Sequence, residues 1–275
     1  MTSRDSQQSN IPAFSPDELA RIVADTFVAR VDYHTELEST NNTALKLVRD
    51  LPEIPVATLV LTEHQTAGRG RGENRWWSGE GGLTFSLLIN CDALQIPPSR
   101  WPIISLTTGL AVCDAIDREL GDVKPRLKWP NDVYLRGCKV CGILVEVPDS
   151  RHARVVIGIG INVNNSAEHA PLELRGFAIS LSDLAQRTLG PTDILISILQ
   201  SLAGRLENLA TGCLDLRKDW QKRCLLTGQT IQVEQDKRQL SGLCHGIDED
   251  GALALETDLG LERCLSGTVT HFSKD

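Results

Sequence analysis

The spacing of apolar residues along the chain predicts helices and strands in mixed order. Ser15, Pro16 and Glu18 are typical of a capped helix start, and apolar residues follow them at helical spacing. The same spacing predicts further helices over 42–50, 102–120, 192–209 and 214–224. Short apolar or β-branched runs predict strands over 56–62, 83–90 and 154–163, and a hairpin with arms over 126–135 and 138–147.

The pattern changes after Leu226. Five short alternating segments, punctuated by Gly, Asp and Ser, predict a small antiparallel β module of barrel type. We therefore expect three parts: a flexible tail over 1–14, an α/β or α+β body over 15–225 and a β module over 226–275.

Composition and charge narrow the class of protein. Lys and Arg number 28 against 36 Asp and Glu, which gives a net charge of −8 and disfavours nucleic acid as the main partner. The first ten residues are polar, and no apolar run approaches the roughly 20 residues of a membrane span. We therefore expect a soluble cytoplasmic protein with no membrane partner.

Two of the eight cysteines, Cys138 and Cys141, form a C-x-x-C pair. This spacing fits a redox pair or half of a zinc site. The sequence holds no second C-x-x-C, so two small apolar strand residues are the favoured interpretation.

The most unusual segment is the loop 68–82, which contains six glycines, three arginines and two adjacent tryptophans. Glycines let backbone N–H groups approach a ligand, and Arg69, Arg71 and Arg75 suit carboxylate or phosphate. Trp76 and Trp77 offer a face for a planar ring. The loop suits an anionic ligand with an aromatic base, over which it would order, although a solvated turn would share this composition.

A second dense region runs from Lys128 to Glu146. Lys139 lies in an apolar strand, where it must find an anion or reach water. Asn131 and Asp132 fit two interpretations equally well: they could orient a ligand or bind Mg²⁺, or they could cap a turn.

Two shorter segments add candidates. Ser39, Thr40 and Asn41 lie between a strand and a helix, where they fit helix caps or contacts to a small polar ligand. Two glycines interrupt the strand segment Gly158-Ile159-Gly160, as happens where a ligand approaches the backbone closely. The common phosphate-loop, dinucleotide, G-x-S-x-G and H-E-x-x-H signatures are absent.

These segments, in this order, resemble the biotin–protein ligases. The likeness runs from about Thr35 to Phe272 and rests on Ser39-Thr40-Asn41, Gln65, the Gly-Arg-Gly-Arg of 68–71, Trp76, the Lys-Trp-Pro-Asn-Asp of 128–132, Lys139, and the segments 142–146 and 158–162. The resemblance implies an α+β fold: a class II synthetase-like biotin/lipoate ligase catalytic domain with a mixed sheet and flanking helices, followed by a small SH3-like β-barrel.

The resemblance also implies a two-step reaction. Biotin and ATP, with Mg²⁺, give biotinyl-5′-AMP, and the biotinyl group then passes to one lysine of the biotin carboxyl carrier protein of acetyl-CoA carboxylase or a related carboxylase. The implied catalytic residues are Lys139 and Arg69. The implied biotin-binding residues are Ser39, Thr40, Asn41, Gln65, Gly68, Arg69, Gly70, Arg71 and Lys139. The implied ATP or adenylate contacts are Arg71, Arg75, Trp76, Asn131 and Asn162, with Asp132 as the candidate metal ligand.

Two departures from the family pattern bear on this interpretation. The family loop carries a further Gly and Arg where this chain has Glu73 and Asn74, and Arg75 is the candidate replacement for that arginine. About 30 residues precede Val31, which predicts the short class without a DNA-binding domain and hence no DNA partner. The family also implies a homodimer.

Three alternatives stay open. The first is a lipoate–protein ligase or octanoyltransferase, which shares the catalytic fold. The other two belong to different functional classes: a DNA-binding co-repressor and an inactive ligand sensor.

Overall fold

The protein is described from a computed structural model, which covers residues 13–50, 55–149, 153–235 and 238–273. Its α-helices are α1 (Pro16–Asp25), α2 (Thr40–Asp50), α3 (Ile104–Leu120), α4 (Leu181–Ala185), α5 (Pro191–Thr211) and α6 (Leu216–Arg223). The strands of the first sheet are β1 (Arg30–Leu37), β2 (Ala57–Gln65), β3 (Leu83–Asn90), β4 (Arg126–Lys128), β5 (Asp132–Leu135), β6 (Cys138–Asp149) and β7 (Arg154–Ile161). Those of the second sheet are β8 (Thr230–Gln235), β9 (Arg238–Ile247), β10 (Leu253–Thr257), β11 (Gly260–Cys264) and β12 (Thr268–His271).

The first sheet is mixed, as expected, with strand order β1-β2-β3-β7-β6-β5-β4. Only β1 and β2 pair in parallel, and every other pair of neighbours is antiparallel. The central strand β7 is buried along its whole length. Because side chains alternate across a strand, Ile157 and Ile159 face one side of this sheet while Gly158 and Gly160 face the other.

The two faces of the first sheet are covered differently. One face packs its isoleucines, leucines and Phe85 against the long helices α3 and α5, and this forms the main core. The other face carries a small cluster in which Ala44 and Val48 of α2 pack on Val60, Leu88 and Val156. Helix α2 covers only part of that face, and the remainder is where a ligand can reach the sheet.

The C-terminal residues form the second sheet, a five-stranded antiparallel sheet of order β11-β10-β9-β8-β12, in agreement with the expected SH3-like module. Its inward side chains, among them Ile231, Leu253 and Val269, belong to the same apolar cluster as the main core. The boundary expected after residue 225 falls in the connection between α6 and β8.

One predicted hairpin arm is wrong. The segment 126–135 is two strands, β4 and β5, which fold back on each other so that Arg126 pairs with Tyr134. The chain turns at Pro130 and Asn131, because proline has no N–H for a ladder and both residue types favour turns.

The N-terminal segment is better anchored than expected at its end. Phe14 is buried and packs edge-on against Tyr33, with ring centroids 5.8 Å apart. Residue 14 therefore does not belong to a flexible tail, while residues 1–12 lie outside the described residues. The predicted capping box between Ser15 and Glu18 is present. No helix among the described residues is both long and apolar enough to cross a membrane.

Candidate active site

A cavity of about 370 Å³ opens on the partly covered face of the first sheet. Its floor is made of backbone, because Gly142 and Gly160 pair across β6 and β7 and Gly158 lies two residues away. A Cβ atom added at Gly160 would lie 2.3 Å from Cε2 of Trp76, and one at Gly158 would lie 2.1 Å from Oδ1 of Asn41. The glycines therefore let these two side chains rest directly on the sheet.

One wall of the cavity is a buried polar network at the start of α2. The backbone N–H and the hydroxyl of Thr40 both donate to Oε1 of Gln65, at 2.8 and 3.1 Å. The hydroxyl of Ser86 lies 2.7 Å from that of Thr40 and 2.5 Å from Oδ1 of Asn41. Ser39, Thr40, Asn41 and Gln65 all line this cavity, and their contact with biotin stays a prediction.

Ser86 was missed by the sequence analysis. It lies on β3 opposite Gly158, and Thr84 of the same strand lies opposite Gly160 and lines the cavity. The signal was available, because two hydroxyl residues at a spacing of two in an apolar strand mark one face of a sheet.

The loop after β2 folds into a small hairpin over the cavity. The N–H of Gly70 donates to the Asn74 carbonyl at 2.8 Å, and the N–H of Trp76 donates to the Gly68 carbonyl at 3.0 Å. Gly72 takes a φ of 63° at the first central position of the turn, a conformation that favours glycine.

The departure from the family pattern at residue 74 has a structural role in this hairpin. The side-chain amide of Asn74 donates to the Arg71 carbonyl at 2.8 Å and so helps close the turn. Glu73 is exposed at the tip, and Asn74 and Arg75 both line the cavity. The replacement of the missing family arginine by Arg75 stays a prediction.

Arg69 is held by an acidic residue that the sequence analysis gave no role. Its guanidinium makes two bonds to the carboxylate of Glu146, at 2.8 and 3.1 Å, and a third to Oδ1 of Asn42 at 2.7 Å. The loop's first arginine is therefore tied to β6.

Lys139 reaches the cavity because of a β-bulge. Val133 pairs with Cys141 and Tyr134 pairs with Lys139, so Val140 is an extra residue on β6. Side chains alternate across a strand, and the extra residue moves Lys139 to the same face as Gly142. Its Nζ lies 2.6 Å from Oδ1 of Asp132, which is the anion that the isolated lysine was expected to find.

The backbone of Lys139 is fixed by a distant segment. Its N–H donates to the Phe177 carbonyl at 2.8 Å, and its carbonyl accepts from the N–H of Ile179 at 3.1 Å. Asn162, predicted as an adenylate contact, lies behind this segment and does not line the cavity. Its side chain donates to the Ile179 carbonyl at 3.2 Å and accepts from Asn165 at 2.8 Å, so a direct contact with the adenylate stays a prediction.

The remaining predicted residues lie where the loop and the β4–β5 turn put them. Arg71 and Asn131 line the cavity, and the Asn131 amide donates to the Ile143 carbonyl at 2.7 Å. Gly68 lies behind the cavity lining, where a Cβ atom would be 2.5 Å from the Trp76 carbonyl oxygen. Burial raises the pKa of Tyr134, so this phenol lines the cavity in its protonated form.

The second sheet closes one end of the cavity with main-chain oxygens. Arg71 donates to the carbonyl of Gly267, and Nζ of Lys128 lies 3.1 Å from the Val269 carbonyl oxygen. Trp129 donates from its indole nitrogen to the Gly251 carbonyl at 3.1 Å. Sequence analysis did not predict these contacts, because they join segments more than 100 residues apart.

The cavity is strongly positive although the chain carries a net charge of −8. Among the described residues, its lining holds one carboxylate, Asp132, and five cationic side chains: Arg69, Arg71, Arg75, Lys128 and Lys139. Such a lining favours an anion of more than one charge.

The described residues offer little for a resident metal ion. No group of three or more His, Cys, Asp or Glu side chains among them is placed to hold one. Mg²⁺ usually uses one or two protein carboxylates together with substrate phosphates, and Asp132 fits that limited role. Cys141 is buried, which raises its pKa, Cys138 is half-buried, and both are free thiols.

Comparison with known proteins identifies the family. Residues 35–162 match the Biotin/lipoate A/B protein ligase family, and residues 226–271 match the Biotin protein ligase C terminal domain. The bifunctional ligase/repressor BirA of Bacillus subtilis is 34% identical over 241 residues, which are 86% of this chain and 72% of that protein. The biotin–[acetyl-CoA-carboxylase] ligase of Mycobacterium tuberculosis is 33% identical over 246 residues, covering 88% and 89% of the two chains.

A solved structure agrees with these relatives. The biotin protein ligase of Aquifex aeolicus, in complex with biotin and ATP, aligns with 88% of this chain and 97% of its own, with a TM-score of 0.75 at 27% identity. The chain therefore belongs to the biotin protein ligase family.

Proposed function

We propose that this protein is an ATP-dependent biotin–protein ligase. The observation that carries the proposal is one cavity in which a buried polar network meets a cluster of five cations that includes Lys139. The network suits the ureido ring of biotin, and the cations suit the carboxylate of biotin together with the phosphates of ATP. The relative from Aquifex aeolicus, whose structure holds biotin and ATP, supports the same assignment.

The first step joins biotin to AMP. A carboxylate oxygen of biotin attacks the α-phosphorus of ATP, the bond to the β-phosphate oxygen breaks, and pyrophosphate leaves. The two reacting groups are both anionic, so cations must offset their repulsion. Lys139 lies between the glycine floor and Asp132, and we assign it the role of stabilising the charge on the α-phosphate in the transition state.

The second step transfers the biotinyl group. The ε-amine of an acceptor lysine attacks the acyl carbon of the mixed anhydride, an amide bond forms, and AMP leaves.

We assign Arg71 and Arg75 to the phosphate side, Trp76 to the cover over adenine or the biotin tail, and Asp132 to Mg²⁺ bound with the ATP phosphates. When bound, Mg²⁺ would neutralise charge on the departing pyrophosphate.

The polar network argues against the lipoate or octanoate alternative. Thr40, Asn41, Gln65 and Ser86 are each at most 7% exposed. An alkyl chain has no polar group to pair with such a wall, so it gains no hydrogen bond there. Biotin offers both a donor and an acceptor there.

The decisive experiment supplies the protein with biotin, ATP, Mg²⁺ and the biotin carboxyl carrier domain of acetyl-CoA carboxylase. Mass spectrometry should show that the carrier domain gains the mass of biotin less one water. This gain should require biotin, ATP and Mg²⁺ together. The same assay is repeated with lipoate or octanoate in place of biotin. A protein that transfers lipoate or octanoate but does not transfer biotin would refute the assignment.

We extend the proposal to partners and location. The relative from Mycobacterium tuberculosis, named for acetyl-CoA carboxylase, supports a carrier domain as acceptor. We further propose a cytoplasmic homodimer with no sequence-specific DNA contact. Sedimentation and gel-shift measurements at nanomolar protein test these points, and a salt-resistant, sequence-specific complex would contradict the last of them.

A further inference from the structure

We propose that Glu146 is a positioning residue that joins the two halves of the ligand site. Only the kinetic consequences of this proposal rest on the proposed ligase function. Glu146 lies on β6 at the edge of the cavity, and its carboxylate holds Arg69 of the loop on one side and Asn41 of α2 on the other. Arg69 then acts as a latch for the loop and leaves Arg71 and Lys139 to meet the anionic ligand.

The geometry uses both oxygens of the carboxylate. Oε1 accepts from Nη2 of Arg69 at 2.8 Å, while Oε2 accepts from Nη1 of Arg69 at 3.1 Å and from Nδ2 of Asn41 at 2.8 Å. A two-point bond between a guanidinium and a carboxylate fixes orientation as well as distance. The first arginine of the loop is thereby set against the same group that sets Asn41.

The hydrogen bonds continue from Asn41 into the polar wall. Oδ1 of Asn41 accepts from the hydroxyl of Ser86, which lies 2.7 Å from that of Thr40, and the backbone N–H of Thr40 donates to Gln65. One unbroken chain therefore runs from the loop to the residues proposed to bind the ureido ring. A change in the position of the loop would therefore displace Asn41 and the rest of the polar wall through Glu146.

The register of the sheet explains why residue 146 holds this place. Gly142, Leu144 and Glu146 share the cavity face of β6, and Glu146 pairs with Val156 beyond the glycine floor. The glutamate therefore lies at the edge of the cavity, and its side chain is 24% exposed. It touches neither the floor nor the reacting groups, which is why it positions other residues.

Two substitutions separate the two bonds. Glu146→Gln removes the charge that holds Arg69 but keeps an oxygen that accepts from Asn41. Glu146→Ala removes both, and leaves Nδ2 of Asn41 with the Leu144 carbonyl alone at 3.2 Å. We expect Glu146→Gln to loosen the loop, and Glu146→Ala to loosen the loop and weaken biotin binding further.

The first readout is limited trypsin cleavage of the full-length, ligand-free protein. Glu146→Gln should speed cleavage after Arg71 or Arg75 by about tenfold, the size of one lost charge-assisted hydrogen bond. Cleavage elsewhere in the chain should stay within twofold. Faster cleavage at every site would show general unfolding and overturn the proposal, as would an unchanged loop.

The second readout is steady-state kinetics of biotin activation. A positioning role predicts that Glu146→Gln raises the KM for biotin more than it lowers kcat, and that Glu146→Ala widens this difference. The effect of Glu146→Gln should vanish in an Arg69→Ala background, because the latch is already open there. Full additivity of the two substitutions would overturn the coupling.

The control is Glu207→Gln, which makes the same charge change on the exposed face of α5. It should match the unmodified protein in both readouts. If the unmodified protein forms no biotinyl-AMP, the proposed function fails, yet the cleavage pattern still decides whether Glu146 holds the loop.

Discussion

Replacing Gly158 by alanine tests the idea that the cavity floor must lack side chains. The new Cβ atom would lie 2.1 Å from Oδ1 of Asn41, a distance that real Cβ contacts essentially never show. Either the amide of Asn41 or the strand has to move by about 1 Å to restore ordinary contact. The strand is the stiffer of the two, because β7 is hydrogen-bonded on both sides at the centre of the sheet.

The amide of Asn41 cannot move that far without losing partners. Its oxygen lies 2.5 Å from the Ser86 hydroxyl, and its nitrogen lies 2.8 Å from Glu146 and 3.2 Å from the Leu144 carbonyl. Each buried polar group left without a partner costs about 1–3 kcal/mol. With overpacking included, we expect the free energy of unfolding to fall by about 2–4 kcal/mol.

Two measurements follow from this value. The thermal midpoint should fall by about 3–7 °C, given the entropy of unfolding for a chain of this size. The Kd for biotin, measured by calorimetry, should rise by about 10–100-fold, because Asn41 and the wall behind it are displaced.

Gly204 supplies a control for the substitution itself. It lies on the exposed face of α5, where an added Cβ atom meets nothing within 4 Å. Gly204→Ala should raise stability by about 0.5–1 kcal/mol, because alanine restricts the unfolded chain and favours the helix. It should leave biotin binding unchanged.

A Gly158→Ala protein that keeps both its thermal midpoint and its biotin affinity close to those of the unmodified protein would refute the reasoning, provided Gly204→Ala behaves as expected. A fall in stability without a loss of biotin affinity would show that Asn41 supports the fold only. A second variant tests the clash itself: adding Asn41→Ala removes it, so the two destabilisations should be less than additive.

Three further predictions concern other parts of the molecule. Lys139→Ala should slow pyrophosphate release from biotin and ATP by about 10²–10³ while the fold stays intact, and a rate within threefold would contradict its role. Trypsin should cut the ligand-free loop after Arg71 or Arg75, and biotin with ATP should slow the cut at least about tenfold if the loop orders over the ligand; equal rates would indicate a prefolded or uninvolved loop. Burial raises the pKa of Asp248, but hydrogen bonds from Arg263 and two backbone N–H groups outweigh it and hold that pKa below its ordinary value. Such a carboxylate stabilises the fold above its unfolded pKa and loses this effect as the pH falls, so Asp248→Asn should lower the thermal midpoint at pH 7 and differ less from the unmodified protein below about pH 3.

Local signals predicted the elements well, because capping residues and apolar spacing act over a few positions. The strand over 83–90 and the capping box at Ser15 and Glu18 are confirmed. The apolar residues on both sides of Pro130 predict one continuous arm over 126–135, although Pro130 and Asn131 interrupt the pattern. The turn there is decided by proline chemistry and by the contact of the neighbouring Trp129 with the second sheet.

The candidate site was predictable as a set of residues and not as a geometry. The bulge at Val140, which turns Lys139 into the cavity, depends on how β6 pairs with β5 and with the distant segment 177–179. Register of this kind is set by the whole sheet, and no local pattern announces it. The partner of Arg69 was equally hidden, since Glu146 is 77 residues away in sequence.

The contacts between the second sheet and the cavity residues have a consequence for how such chains can be recombined. The acceptors for Arg71, Lys128 and Trp129 are main-chain oxygens, so these three contacts depend on the backbone path of the C-terminal module, while its inward side chains serve the shared core. The constraint falls on Gly251 and Gly267, whose φ values of 80° and 142° few other residues adopt readily. A C-terminal module grafted from a distant relative should therefore serve this catalytic body if it keeps those two glycines and apolar residues at its inward positions.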